Sequence, residues 1–248
     1  MTASYLPITA QIGDHTYPRH DVLAWETKRA ARVARRLGIK RRGSSTDLNR
    51  RILDRKLELG PDAIEQMLQR EFPISSAVGR LGAAASLGRR NVATTILRCD
   101  TGACQMIPDF YRTASRSDEG RPTMLAASPD HWIFRRLPDG RDQVVETAAG
   151  SPWMVQIFLD ENDLSTVRTP RDPAFAVHWA AVARTTGGTP IGGIQHRFRD
   201  EPAGGFTVEL NAEFPITLPR PMVNWHRWHL AGEFSNWLEY ANGVRAAR

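Results

Sequence analysis

The sequence predicts an α+β fold, with a basic helical segment over residues 1–90 and a β-rich domain over 91–248. Three observations carry this reading. Apolar residues recur at helical spacing from Leu23 to Phe72. From Val92 to Phe214, β-branched and aromatic runs alternate with turn residues. A long amphipathic stretch from Met222 to Ala241 then closes the chain.

Residues 1–18 show no clear period and contain Pro7 and Pro18, so an irregular lead-in is expected. Asp21 can cap a helix that runs to Leu37 and stops at Gly38. Ser44-Ser45-Thr46-Asp47 offers the next cap, for a helix carrying Leu48, Ile52, Leu53 and Leu57 and ending at Gly60-Pro61. A third helix is expected from Asp62 to Phe72. Residues 73–90 are small and apolar, and their three glycines weaken the helical signal.

The character changes near residue 90. Val92–Arg98 is rich in β-branched residues and reads as a strand, while residues 112–123 carry loop signals. His131–Leu137 and Gln143–Thr147, continued to Ala148, flank Pro138-Asp139-Gly140, a strong hairpin signal. Trp153–Leu159 is the next strand. Phe175–Arg184 is apolar without a decisive period, and Gly192–Arg199 and Phe206–Phe214 form a second hairpin.

The final helix has Pro219 and Pro221 at its entrance, where a missing N–H costs little, and Gly243 at its exit. Leu230, Phe234, Trp237, Leu238 and Ala241 share one face, with His226, His229 and Glu233 along its edge. His229 and Glu233 stand at i and i+4, so both project to one side. Such a pair is half of a divalent metal site, and its plainer reading is a partly solvated hydrogen bond beside the core. In the first hairpin, a turn centred on Asp139-Gly140 sets Ile133 opposite Glu146. His131 then falls on the same face as a diagonal neighbour of Glu146. Two imidazoles and two carboxylates suit Zn²⁺ or another first-row divalent ion.

Charge is uneven. The net charge is +6, and residues 19–56 hold 13 Lys or Arg against 4 Asp or Glu. That pattern fits an anionic partner or a solvated helical surface. Ala34-Arg35-Arg36-Leu37-Gly38-Ile39 looks like the turn of a helix-turn-helix DNA reader. Gly43 stands where the second helix should begin, and no recognition-helix pattern follows, so a structural or assembly role is preferred over a nucleic-acid partner. No apolar run approaches a membrane span, so no membrane partner is expected. The N-terminus lacks a signal pattern, and a cytoplasmic location is expected. Cys99 and Cys104 form no CxxC pair and are expected as reduced thiols. A homo-oligomer is left open.

Antiparallel strands followed by one long helix resemble the START-like, helix-grip architecture, in which a curved sheet wraps the last helix around an apolar cavity. A sharper resemblance is to the 2,4-diacetylphloroglucinol hydrolase and phloretin hydrolase family. His229-Leu230-Ala231-Gly232-Glu233-Phe234-Ser235-Asn236 carries it on the helix, and Val144-Val145-Glu146 on a strand. That family's aromatic-rich segment around its first histidine is not evident near His131.

The resemblance implies a metal set of His131, Glu146, His229 and Glu233; should a slip of register turn His131 to the other face, Glu161 and His178 are the replacements. It implies that His229 and Glu233 act at the reacting centre, and that a His or Tyr, His178 or Tyr111, protonates the departing carbon. His196 and His226 remain for supporting roles. The implied activity is metal-dependent hydrolysis of a carbon–carbon bond next to a ketone, on a phenolic or polyketide-derived substrate. The alternative is a metal-free polyketide cyclase or carrier whose partner is a small hydrophobic or aromatic ligand.

Overall fold

The computed structural model describes residues 5–147 and 153–244. Among these residues nine strands run in chain order as β1 (Thr9–Ile12), β2 (His15–Pro18), β3 (Arg90–Cys99), β4 (His131–Arg136), β5 (Asp142–Thr147), β6 (Met154–Asp160), β7 (Val177–Arg184), β8 (Pro190–Asp200) and β9 (Phe206–Pro215). The helices are α1 (Arg19–Arg36), α2 (Ser45–Leu68), α3 (Phe72–Ala85), α4 (Ile107–Ala114), α5 (Arg121–Ala126) and α6 (Arg220–Ala241). The strands form one curved antiparallel sheet in the order β2-β1-β3-β9-β8-β7-β6-β5-β4. The fold is therefore α+β, as expected.

Alternation along the strands divides the interior in two. One face of the sheet packs Leu97, Phe134, Val144, Trp179 and Phe198 against Leu230, Phe234 and Trp237 of α6. The opposite face sets Trp132, Ile133, Val145 and Met154 against Ile52, Ile64 and Leu68 of α2 and Ala30 of α1. Each large apolar side chain fully buried this way contributes roughly 1.5–3 kcal/mol. The change from helices to sheet falls between Ala85 and Arg90, while β1 and β2 join the sheet beside β3.

Four local expectations are corrected. The lead-in is not irregular: residues 9–18 form a hairpin whose turn uses Gly13 at a φ of 62°. The helix expected to stop at Gly60-Pro61 bends there and continues, with Gly60 at a φ of 71°, as the first half of α2. The separate helix over 62–72 is its second half, and α3 starts anew at Phe72. The loop expected over 112–123 hides the end of α4 and the start of α5, each opened by a proline in its first turn. Residues 1–4 and Ala148 lie outside the described residues.

Helix α1 is locked to α6 by a buried polar cluster. Arg19 donates to Glu239 at 2.8 and 3.1 Å and to Asn236 at 2.5 Å, and it faces Glu26 at 3.4 Å. Asn236 in turn donates to Glu26 and to the Ala127 carbonyl. Burial pulls the Arg19 guanidinium down, but the Glu26 and Glu239 carboxylates more than reverse this and hold it above its ordinary value. Glu26 reaches α6 only because Gly232 lacks a side chain: a Cβ there would meet Glu26 Oε1 at 2.6 Å. Arg19→Ala strands two carboxylates and is expected to cost about 3–5 kcal/mol in denaturant unfolding. The exposed Arg35→Ala is expected to stay within about 0.5 kcal/mol. Equal stability of the two variants would refute the lock.

Candidate metal centre

The centre forms where β4 and β5 face α6. In the β4–β5 hairpin, Arg136 pairs with Asp142 and Ile133 with Val145, one residue off the expected register. The cause is the turn. The Gly140 N–H closes on the Leu137 carbonyl at 3.0 Å and Leu137 pairs with Arg141, so Pro138-Asp139-Gly140 is a three-residue loop. Continued regularly, that register would set Trp132 opposite Glu146 and turn His131 to the α2 side. A bulge between His131 and Ile133 corrects this, and His131 stands directly opposite Glu146. Trp132 joins Ile133 on the α2 side instead.

Helix α6 brings the other two groups. His131 Nε2 lies 3.2 Å from Glu233 Oε1. His229 Nε2 lies 3.3 Å from Glu146 Oε2 and 3.6 Å from Glu233 Oε2. Donor atoms of His131, Glu146 and His229 all lie within 4.8 Å of one another, so this buried group could hold a metal ion. All four residues are less than a tenth exposed.

The donor set fits a divalent ion. In a tetrahedral site with ligands about 2.0–2.1 Å from the metal, neighbouring donors stand about 3.3–3.4 Å apart. His131 Nδ1 lies 2.9 Å from the Met124 carbonyl, so Nδ1 carries the hydrogen and, in the neutral ring, the Nε2 lone pair faces Glu233. His131 Nε2 and His229 Nδ1 are buried and form no hydrogen bond. A lone pair pointed at a carboxylate is unfavourable unless a cation lies between them.

The electrostatics match. Burial raises the Glu146 pKa, but the adjacent His229 outweighs it and brings the value down to about 2. Burial lowers the His229 pKa, and Glu146 and Glu233 together reverse that to about 9. The pocket thus favours positive charge at His229 Nε2, whether a proton or a metal supplies it.

Glu146, His229 and Glu233 line a cavity between the sheet and α6, with about 450 Å³ of atom-free space including its mouth. Trp179, Trp237, Phe134 and Phe234 form much of its apolar wall. Tyr111 also lines it, fully buried, with its ring 4.2 Å from that of Trp179. Burial, with the Asp142 and Glu233 charges, keeps the Tyr111 phenol protonated.

His178 does not join the site. It follows Val177 and precedes Trp179 on β7, so alternation turns it to the opposite face. There its Nε2 donates to the Phe175 carbonyl at 3.0 Å, and its Nδ1 accepts from Gln195 at 3.3 Å. Glu161 is also occupied elsewhere, by Arg112 and Trp179.

His196 takes the place expected for His178. The β8–β9 pairing pauses between Ile194 and Arg197, and in that gap His196 Nδ1 accepts the Asn211 N–H at 3.1 Å. The ring proton of neutral His196 is therefore on Nε2, in a residue that lines the cavity. Phe198 and Ile194, two residues either side on the inward face, were the available sequence signal. His226 lines the cavity too, one turn before His229 on α6. No family model matches the chain, and no curated protein matches it.

Burial, with a smaller effect from His226, depresses the His196 pKa from 6.5 to about 3. The unfolded chain takes up a proton as pH falls through 6.5, while the folded ring resists until about 3. His196 therefore removes no stability above 6.5 and progressively more below it. Its ring carbon-bound proton resonances should stay flat from about pH 8 to about pH 5. A titration midpoint near the ordinary value would show that the ring is not locked as described.

Proposed function

We propose that this chain is a metal-dependent hydrolase of the START-like, helix-grip type, cleaving a carbon–carbon bond beside a ketone on a phenolic or polyketide-derived substrate. One observation carries the reading: donor atoms of His131, Glu146 and His229 lie within 4.8 Å of one another, with Glu233 3.2 Å from His131 Nε2 and 3.6 Å from His229 Nε2, beside an aromatic-lined cavity. The family resemblance of the α6 and β5 sequences supports it. These four residues would hold Zn²⁺ or another first-row divalent ion. When bound, such an ion supplies Lewis-acid polarisation of a carbonyl and lowers the pKa of water.

The chain's own residues do the rest. Trp179 and Trp237 offer faces and edges to an aromatic ring, and the apolar wall excludes bulk water around it. His196 Nε2–H and the Tyr111 hydroxyl are neutral donors, suited to phenolic or ketonic oxygens. Neither changes charge near neutral pH, so both orient the substrate without competing for its proton. The net reaction adds water across the bond: hydroxyl goes to the acyl carbon, a proton to the released ring carbon, and the electron pair of the broken bond stays with the ring.

Protein purified without chelator is expected to carry about one divalent ion per chain by elemental analysis. His229→Ala and Glu233→Ala should each weaken Zn²⁺ binding by more than the roughly 10–100-fold that an outer-sphere loss costs. Both should abolish acid release from an acylated phenol, with far-UV circular dichroism unchanged. Metal-free protein, with both variants still binding the phenol as wild type does, would leave the metal-free cyclase or carrier as the reading.

A further inference from the structure

The bulge that turns His131 into the site is held from behind by two buried cations of the N-terminal helices. Arg29 of α1 forms a bidentate pair with Asp130, at 2.7 and 2.8 Å. Lys56 of α2 donates to the Pro129 carbonyl at 2.7 Å and to the His131 carbonyl at 2.5 Å. Its ammonium lies 5.0 Å from the centre of the Trp132 ring, the residue the bulge displaces. Arg29 and Lys56 are 4% and 1% exposed, and Asp130 is fully buried. Four consecutive residues, 129 to 132, are thus each gripped by a side chain from α1 or α2.

Burying two cations costs several kcal/mol each, and apolar residues of similar volume usually serve packing as well or better. What apolar residues cannot do is fix carbonyl oxygens and a carboxylate at set positions. The Asp130 carbonyl accepts the Thr147 N–H at 3.2 Å, which ties this segment to the end of β5 beside Glu146. We infer that Arg29 and Lys56 are positioning residues for the metal centre: they clamp residues 129–132 in the bulged register that presents His131 Nε2 to Glu146, His229 and Glu233. This rests on the metal reading above. It also gives the N-terminal basic segment a task inside the molecule.

The test compares wild type, Lys56→Met, Arg29→Met and the exposed control Arg35→Ala. Zn²⁺ affinity is read by competition with a chromophoric chelator, and ligand geometry by the visible spectrum of the Co²⁺ form. Lys56→Met and Arg29→Met are expected to bind Zn²⁺ about 10–100-fold more weakly, with altered Co²⁺ bands, while Arg35→Ala matches wild type. Hydrogen exchange of the wild-type chain with and without Zn²⁺ gives a second readout that does not depend on a variant folding. Coupling is reciprocal, so Zn²⁺ should slow exchange around residues 29 and 56 as well as in β4, β5 and α6. Wild-type affinity and Co²⁺ bands in both methionine variants, or protection confined to β4, β5 and α6, would overturn the clamp and leave the metal site standing. Failure of the wild type to bind Zn²⁺ or Co²⁺ would overturn both.

Discussion

Two carboxylates and two imidazoles share one buried space, and the rest of the structure is arranged around that constraint. Glu146 and Glu233 are each less than a tenth exposed, and both face His229 Nε2. Like charges brought out of water together are costly unless positive charge is supplied between them. His229 answers the constraint in the metal-free protein by holding a proton well above its ordinary range. A divalent ion answers it with twice the charge. The buried His131, Glu146 and His229 group therefore could hold a proton or a metal, and His131 spends its Nδ1 hydrogen on the Met124 carbonyl, which leaves Nε2 facing the pocket.

Much of this was legible in the sequence because it rests on local periodicity. The i, i+4 spacing of His229 and Glu233 requires only that the segment be helical, and Pro219, Pro221 and Gly243 mark that helix at both ends. The two hairpins announce themselves through turn residues between alternating runs. What the sequence could not fix is register. The Asp139-Gly140 turn is a three-residue loop where a two-residue centre was expected, which moves every pairing by one. The bulge at Trp132 moves it by one again. Each shift alone changes which residues share a face. Their combination returns His131 to the face expected for it, by a different route from the one the sequence suggested.

The reading of His178 failed for a related reason. Period-two alternation separates His178 from Trp179, and which of them faces inward depends on the pairing partners of β7. In isolation Phe175–Arg184 is apolar on both sides, so neither face stands out. His196 was harder still, because its role depends on an interruption of the β8–β9 ladder. Its ring accepts the N–H of Asn211, and Asn211 Nδ2 donates to the Gln195 carbonyl. Side chains thus replace backbone partners across the gap, at a point no sequence period marks.

The basic N-terminal segment shows why charge counts mislead when burial is unknown. A run of Lys and Arg on amphipathic helices looks like a surface for an anionic partner. Here Arg19, Arg29 and Lys56 all point inward, and each meets a specific acceptor: Glu239, Asp130, and the carbonyls of residues 129 and 131. Burial brings the Lys56 pKa down to about 7, against the pull of Asp130, so its surroundings oppose the charged form. Removing these three from the 13 Lys or Arg of residues 19–56 leaves 10 against 4 Asp or Glu, so burial accounts for only part of the excess. The Met124 carbonyl of α5 orients the His131 ring itself, through Nδ1. Elements outside the sheet and α6 thus hold the histidine whose position the hairpin alone leaves undetermined, and the helices that looked least related to the site are among those that define it.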